Sequence, residues 1–363
     1  MNNVLTYLDW RGDISFDYSP FNEIDSVIIA RLAYIPFDDI ITDDFKGGIA
    51  LGRAAEKFFS KIDAMKKVDK NHDLALLKKA AQSRRFTDLT VCGYVSEWDE
   101  DSEKQFSAMT ISLLDNSWYI AYRGTDSSLL GWKEDFNMSF KCPVPSQESA
   151  ISYIRKAASQ LNGNLVVGGH SKGGNLAVFA AAFSGEETQK RICGIYNFDG
   201  PGFDSSVIET AGYKKIAERV LTFVPQSSII GMLLEHEEPY AIIKSVGKTG
   251  MLQHNIYSWS VTRGSFKKLE NVDTRSTFVD FTLKDWIKKM SPEEREAFIE
   301  STYRMLTQSG IRTMNDISNS GLVRLINFVS SLKYLDDESR KSVIKALELL
   351  VESASKGLKE IIL

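Results

Sequence analysis

The run Asn164-Leu-Val-Val-Gly-Gly-His-Ser171-Lys-Gly-Gly-Asn-Leu-Ala-Val-Phe-Ala180 constrains this chain more than any other stretch. A short apolar strand, suited to burial on both faces, runs into a glycine-bracketed serine and then into an alanine-rich helix. A serine at so tight a strand-to-helix turn must hold a strained backbone while its neighbours pack closely. Gly169 and Gly173 therefore stand where a β-carbon would clash. The bare spacing G-x-S-x-G is common, but the strand–turn–helix context is the specific requirement of a nucleophile elbow, and it is met here. The helix that follows directs its dipole and its free N–H groups toward any negative charge forming beside Ser171.

The surrounding pattern predicts the sheet such an elbow needs. Residues 1–86 read as mostly helical, with a buried helix within Phe21 to Ile41 ended by Pro36 and a mixed-charge helical stretch over 50–84. Leu89 to Trp98, Phe106 to Leu114 and Trp118 to Arg123 are rich in β-branched and aromatic residues, with a turn at Asp115-Asn116. Helices at Gln147–Leu161, Lys172–Phe183 and 205–218 then alternate with strands at Asn164–Gly168, Gly194–Phe198, Arg219–Val224 and Tyr240–Val246. That alternation predicts a mostly parallel sheet flanked by helices. Beyond about residue 275 the pattern turns all-helical. Ser291-Pro-Glu-Glu294 forms a capping box, Gly310 is a C-terminal stop, and a last helix from Asp336 carries Val343, Ile344, Leu347, Leu350, Val351 and Ala354 as a packing stripe.

Composition narrows the class. With 363 residues, 43% hydrophobic and 25% charged, the chain has room for one catalytic domain and an appendage. A net charge of −4 argues against nucleic acid as a partner. Cys92, Cys142 and Cys193 are too scattered for a disulfide framework or a zinc site. No secretory signal is evident at the N-terminus, and no apolar run reaches the length of a membrane span. A cytoplasmic setting is expected, and peripheral contact with a membrane is compatible with it. No metal-ligand cluster stands out, and no cofactor is expected; Gly247-Lys-Thr249 lacks the first glycine of a phosphate-binding loop, which would fall at Ile242.

A serine hydroxyl needs a base, and the chain has four histidines. His72 falls in a polar helical segment and reads as surface. His170, adjacent to the nucleophile, reads as structural. His236, in Leu-Glu-His-Glu-Glu, reads as solvated. His254, in Gly250-Met-Leu-Gln-His254, follows the last predicted sheet strand, which suits the chain order Ser, acid, His. It is the candidate base. The candidate acid is Asp199, at the end of strand Gly194–Phe198, with Asp204 a nearby substitute. The end of the next strand reads Val224-Pro-Gln-Ser-Ser-Ile-Ile-Gly231 and holds no carboxylate. Oxyanion donors are expected from the backbone N–H of Lys172 and from Thr125, by its N–H and as a second source its hydroxyl, at the glycine turn after strand Ala121–Arg123. Asp135 is a candidate partner for Arg123.

Tyr122-Arg-Gly-Thr125 followed by Gly131-Trp132-Lys-Glu-Asp135 resembles the Arg-Gly-Thr and Trp…Asp signature of class 3 lipases. Gly169-His-Ser-Lys-Gly-Gly-Asn-Leu-Ala177 is similar to their elbow, with Lys172 where many carry leucine. The pattern is most similar to the lipase-like DUF2974 family of bacterial proteins, whose Ser-Lys-Gly-Gly-Asn elbow, Phe-Asp-Gly-Pro-Gly-Phe and late Gln-His are matched by Ser171–Asn175, Phe198–Phe203 and Gln253-His254. The likeness spans roughly residues 20–265. It implies Ser171 and His254 as nucleophile and base, with Thr125 and Lys172 as oxyanion donors. Class 3 lipases place the acid after the strand equivalent to Arg219–Val224, where this chain has Ser228-Ile-Ile-Gly231. Either Asp199 serves from the preceding strand, as in pancreatic-type lipases, or the triad is incomplete.

The expected architecture is an α/β-hydrolase with a mostly parallel central sheet over residues 1–275 and a helical region over 276–363. The expected activity is hydrolysis of carboxylic esters, lipid or lysophospholipid-like, through an acyl-enzyme on Ser171. A thioesterase or peptidase on the same machinery, and a catalytically weak pseudo-hydrolase acting as a binding protein, are the alternatives.

Overall fold

The computed structural model describes residues 2–68, 71–113, 115–126, 128–311, 313, 332 and 335–362. The described chain forms two compact units, one of Met1–Trp98, Phe106–Gly124 and Ser146–Ser276, the other of Asp99–Gln105, Thr125–Pro145 and Thr277–Leu363.

The first unit opens with helices α1 (Val4–Arg11), α2 (Glu23–Leu32), α3 (Leu51–Phe59), α4 (Ile62–Lys66) and α5 (Asn71–Gln82). Asn3 and Asn22 start α1 and α2 with side-chain oxygens that accept the first free N–H groups, each completed as a capping box. From Ile24 to Leu32 every residue of α2 is buried, as expected of a helix inside a layered fold.

The central sheet has nine strands: β1 (Ile49–Ala50), β2 (Thr90–Asp99), β3 (Lys104–Leu113), β4 (Ser117–Tyr122), β5 (Asn164–His170), β6 (Ile192–Phe198), β7 (Val220–Pro225), β8 (Tyr240–Ile243) and an edge strand, Lys268–Leu269. They lie side by side in chain order. Strands β4 to β8 are mutually parallel, whereas β1 on β2, β3 on β4 and the edge strand on β8 are antiparallel. The parallel half is connected by helices α6 (Leu129–Asn137), α7 (Pro145–Gln160), α8 (Lys172–Phe183), α9 (Glu186–Arg191), α10 (Ser205–Ile208) and α11 (Ala211–Ile216). The expected sheet and its alternation with helices are therefore present. The hairpin turn between β3 and β4 includes Asn116 at φ +59°, a conformation asparagine tolerates, while Leu114 lies outside the described residues.

Side-chain alternation along the strands builds two apolar layers. Tyr119, Ala121 and Val166 face one layer together with α2, whereas Ile120, Tyr122, Leu165 and Val167 face the other together with α8. Strand β5 is thus enclosed on both faces, and its C-terminal end delivers Ser171 at the start of α8. Buried ion pairs tie the parts of the helical segment to one another. Arg31 pairs with Asp73 through two hydrogen bonds of 2.6 and 2.7 Å, and Arg85 pairs with Asp25, all four side chains being buried. Breaking either pair would strand an uncompensated charge.

Helix α12 (Gly250–Gln253) lies in the first unit, followed by α13 (Thr274–Lys289), α14 (Pro292–Gln308) and α15 (Asp337–Ile362). Ser291 and Glu294 form the expected capping box, and Gly310 follows α14 at φ +79°. The stripe on α15 is narrower than expected. Val343, Ala346 and Ser353 are buried, while Ile344 and Val351 are exposed: Val343 clusters with Met305 of α14, and Ala346 and Ser353 bond Trp286 and Asp285 of α13. Among the described residues no helix is long and apolar enough to cross a membrane.

Candidate active site

Ser171 sits at φ +61° and ψ −136°, between the last residue of β5 and the first of α8. For a residue with a β-carbon this is a strained backbone. It is held by the Ser171 N–H, which donates to the Phe198 carbonyl at 2.9 Å, and by the Ser171 carbonyl, which accepts from Gly174 N–H at 2.8 Å. The bracketing glycines are there for space. A β-carbon on Gly169 would lie 2.2 Å from the Gly173 carbonyl, and one on Gly173 would lie 2.2 Å from the Tyr122 oxygen. Strand β4, the turn and α8 are pressed together at that point. Asn175 fastens the next turn of α8: its Nδ2 donates to the carbonyls of Pro201 and Gly202 at 3.2 and 3.0 Å, and its oxygen accepts from Gln147 at 2.9 Å.

Asp199 follows β6 directly, with φ +53° and a fully buried side chain. Its N–H donates to the Phe223 carbonyl at 2.8 Å. One carboxylate oxygen accepts from His254 Nδ1 at 2.7 Å, and the other accepts from the Ser228 hydroxyl at 2.5 Å. The two residues that the sequence offered as acid and base are thus in hydrogen-bond contact across 55 positions of chain. Asp204 goes elsewhere. It is exposed, and its side chain caps α10 by accepting the Ser206 N–H at 2.9 Å.

His254 is the C-cap of α12, a short helix started by the Thr249 side chain. Its surroundings are densely tied. Gln253 is buried, and its Oε1 accepts the Ser227 N–H at 2.8 Å. Its Nε2 donates to Ser227 Oγ at 2.9 Å and to the Gly247 carbonyl at 3.0 Å. The buried Trp259 donates its indole N–H to the Gln253 carbonyl at 2.7 Å, and Tyr257 donates its hydroxyl to Asp73 at 2.6 Å. The Arg31–Asp73 pair thereby reaches the histidine segment.

His170 has more to do than the sequence suggested. Its ring lies against that of His254, centroids 4.5 Å apart, and its Nε2 donates to the His254 carbonyl at 2.8 Å. Tyr34 donates to the His170 carbonyl at 3.1 Å and lies 3.3 Å from His170 Nδ1. Burial pushes the Tyr34 phenol up to about 12, so it remains a protonated donor at neutral pH.

His72 is exposed and stacks on Tyr257. His236, expected in solvent, has a side chain only 6% exposed. Its Nδ1 faces Glu238 at 3.1 Å and its Nε2 faces the Gly231 carbonyl at 2.8 Å. A charge-rich stretch turns inward here because Glu238 finds three donors inside, the others being Thr222 and Tyr213, each at 2.6 Å.

Lys172 is buried at the first position of α8, where its backbone N–H belongs to the open end of the helix. Gly124 lies against the elbow: a β-carbon there would approach Ser171 Cβ at 3.0 Å and the His170 carbonyl at 2.4 Å. Thr125 is the residue bonded to it. The Thr125 hydroxyl donates to both oxygens of Asp135, at 2.6 and 2.7 Å, so that proton is committed to a carboxylate which the sequence assigned to Arg123.

A family model described as Mbeg1-like matches residues 80–304, well over half of the chain and inclusive of Ser171, Asp199 and His254. No curated protein matches. Among solved structures, the crystal structure of M37 lipase is similar at 15% identity and a TM-score of 0.38, covering 59% of this chain and 70% of that one, a likeness too remote to bear on chemistry. On the extent of the family match, the chain belongs to the Mbeg1-like family.

Proposed function

We propose that this protein is a serine hydrolase that cleaves carboxylic esters through an acyl-enzyme. Ser171 is the nucleophile. His254 takes its proton and returns it to the leaving alcohol, and water then hydrolyses the acyl group by the same route. Asp199 fixes the proton of His254 on Nδ1, which leaves Nε2 as the basic nitrogen, and it balances the imidazolium charge in the transition state. The backbone N–H of Lys172, at the open end of α8, is one oxyanion donor, and that of Thr125 is the second by the likeness of Arg123-Gly-Thr125 to the class 3 lipase signature.

The 2.7 Å contact between Asp199 and His254 Nδ1 carries the reading. A buried carboxylate spent on a histidine whose ring lies against His170, the residue before a strained, glycine-bracketed serine, supports nucleophilic acyl transfer. It also weighs against the pseudo-hydrolase alternative, which the lack of a carboxylate after β7 favours. A lipid or lysophospholipid-like ester is the favoured substrate. The segment leading to His254 exposes Val246, Met251 and Leu252 at 54%, 50% and 56%, an apolar surface suited to acyl chains.

Purified protein should hydrolyse p-nitrophenyl esters and a lysophospholipid faster than a matched thioester or anilide, with all activity lost in Ser171→Ala. Preference for the thioester or anilide would move the reading to the thioesterase or peptidase alternative.

A further inference from the structure

We propose that Ser228 is a positioning residue for Asp199, held in register by His236 and Glu238 through the Gly231 peptide; the proposal rests on the hydrolase reading above. The segment after β7, where class 3 lipases carry their acid, here supplies a hydroxyl that serves an acid borne on β6.

The contacts form one continuous ladder. His254 Nδ1 reaches Asp199 Oδ2 at 2.7 Å, and Asp199 Oδ1 reaches Ser228 Oγ at 2.5 Å. Ser228 Oγ lies 3.0 Å from Gly231 N, and the Gly231 oxygen lies 2.8 Å from His236 Nε2. His236 Nδ1 lies 3.1 Å from Glu238 Oε1, and the two Glu238 oxygens accept from Thr222 and Tyr213.

Chemistry fixes the direction of each rung. A peptide N–H only donates, so Ser228 Oγ accepts from Gly231 and spends its own proton on Asp199. A carbonyl and a carboxylate only accept, so a proton on either ring nitrogen of His236 has an acceptor waiting, the Gly231 carbonyl for Nε2 and Glu238 for Nδ1. Burial would push the Glu238 carboxyl up, but the donors from His236, Thr222 and Tyr213 outweigh it and hold the group at about 2, so it stays an anion. Gly231 is pressed on the acid: a β-carbon there would stand 2.3 Å from Asp199 Oδ1.

A hydroxyl donated to a buried carboxylate favours its charged form. Without that donor the carboxylate turns its charge undivided on His254 Nδ1–H and holds the imidazolium more tightly, which moves the acid limb of the pH–rate profile to higher pH. The other titratable ring against His254 is His170, which these substitutions leave in place.

The test is the second-order rate of labelling by a fluorophosphonate across acid to alkaline pH, with kcat and KM for p-nitrophenyl butyrate alongside. Ser228→Ala should lose about ten- to a hundredfold in labelling rate and kcat at neutral pH. KM should stay near the parental value, and the acid limb should move to higher pH. Glu238→Gln, which keeps the side-chain shape, should move that limb in the same direction by less; a merely structural loss would lower the labelled fraction without moving it. Parental rates with an unmoved acid limb in Ser228→Ala, or, should that variant not fold, an unmoved limb in Glu238→Gln, overturn the proposal. The hydrolase reading would survive such a result if wild type labels and Ser171→Ala does not; an unlabelled wild type would end both.

Discussion

Replacing Asp199 by asparagine removes one charge from the site with almost no change of shape. The backbone at 199 is left-handed, φ +53°, which asparagine adopts as readily as aspartate, so the change adds no strain. Ser228 donates its hydroxyl to one side of the group, and that side keeps the oxygen of the new amide. The amide NH2 is then turned toward His254 Nδ1, a donor facing a donor unless the imidazole moves its proton to Nε2. That is the nitrogen that must be free to take the proton of Ser171, so the wrong tautomer is favoured and the imidazolium loses its counter-charge. A charge-assisted hydrogen bond of this kind contributes about 1.5–3 kcal/mol, and the tautomer penalty adds to it. The expected loss in kcat is at least about a hundredfold, equivalent to about 2.7 kcal/mol of transition-state stabilisation. The assay is turnover of p-nitrophenyl butyrate normalised to folded protein, with Asp204→Asn as the control, since asparagine caps α10 as well as aspartate does. Equal rates in wild type and Asp199→Asn, or an equal loss in Asp204→Asn, would refute the assignment.

Other consequences follow from the same contacts. Gly173→Ala places a β-carbon 2.2 Å from the Tyr122 oxygen, so a melting curve should show a marked fall in Tm, or no cooperative transition at all. Asp73→Ala leaves Arg31 buried without its partner and releases the Tyr257 hydroxyl; a stability loss of about 3–5 kcal/mol should be seen in denaturant unfolding. The Glu238 carboxyl, depressed from 4.5 to about 2, contributes stability that is present above the ordinary value and is lost as pH falls through the lower one. Wild type should therefore lose roughly 3 kcal/mol more than Glu238→Gln between those two pH values, as read by unfolding at a series of pH values. The double substitution Met251→Ser with Leu252→Ser should weaken sedimentation with phosphatidylcholine vesicles about tenfold, because each half-exposed side chain offers about 1 kcal/mol of apolar burial to a lipid surface.

Much of the fold is legible in the residues because local rules act on it directly. The elbow needs glycine at 169 and 173 whatever surrounds it, and the buried strands and the Ser291 box follow from short-range patterns. The partners of the elbow depend on approach between distant segments, and order along the chain narrows them without choosing. The strand end puts Asp199 ahead of its substitute Asp204 in sequence; in the fold one is buried against His254 and the other caps a helix. His236 illustrates the opposite failure. A run of glutamates around a histidine suggests solvent, yet Thr222 and Tyr213 from other elements make an internal carboxylate affordable. Ser228 carries no sequence signal of its own, and Gln253 and His170 stand inside matched motifs that assign them no role, since each matters only through what folding sets beside it.

The central claim is that Ser171 is an activated nucleophile, and covalent labelling tests it most directly. Wild type incubated with a fluorophosphonate should gain the mass of a single adduct, mapped by peptide sequencing to Ser171 and absent from Ser171→Ala. A correctly folded wild type that remains unlabelled, or that carries its adduct on another residue, would contradict the account.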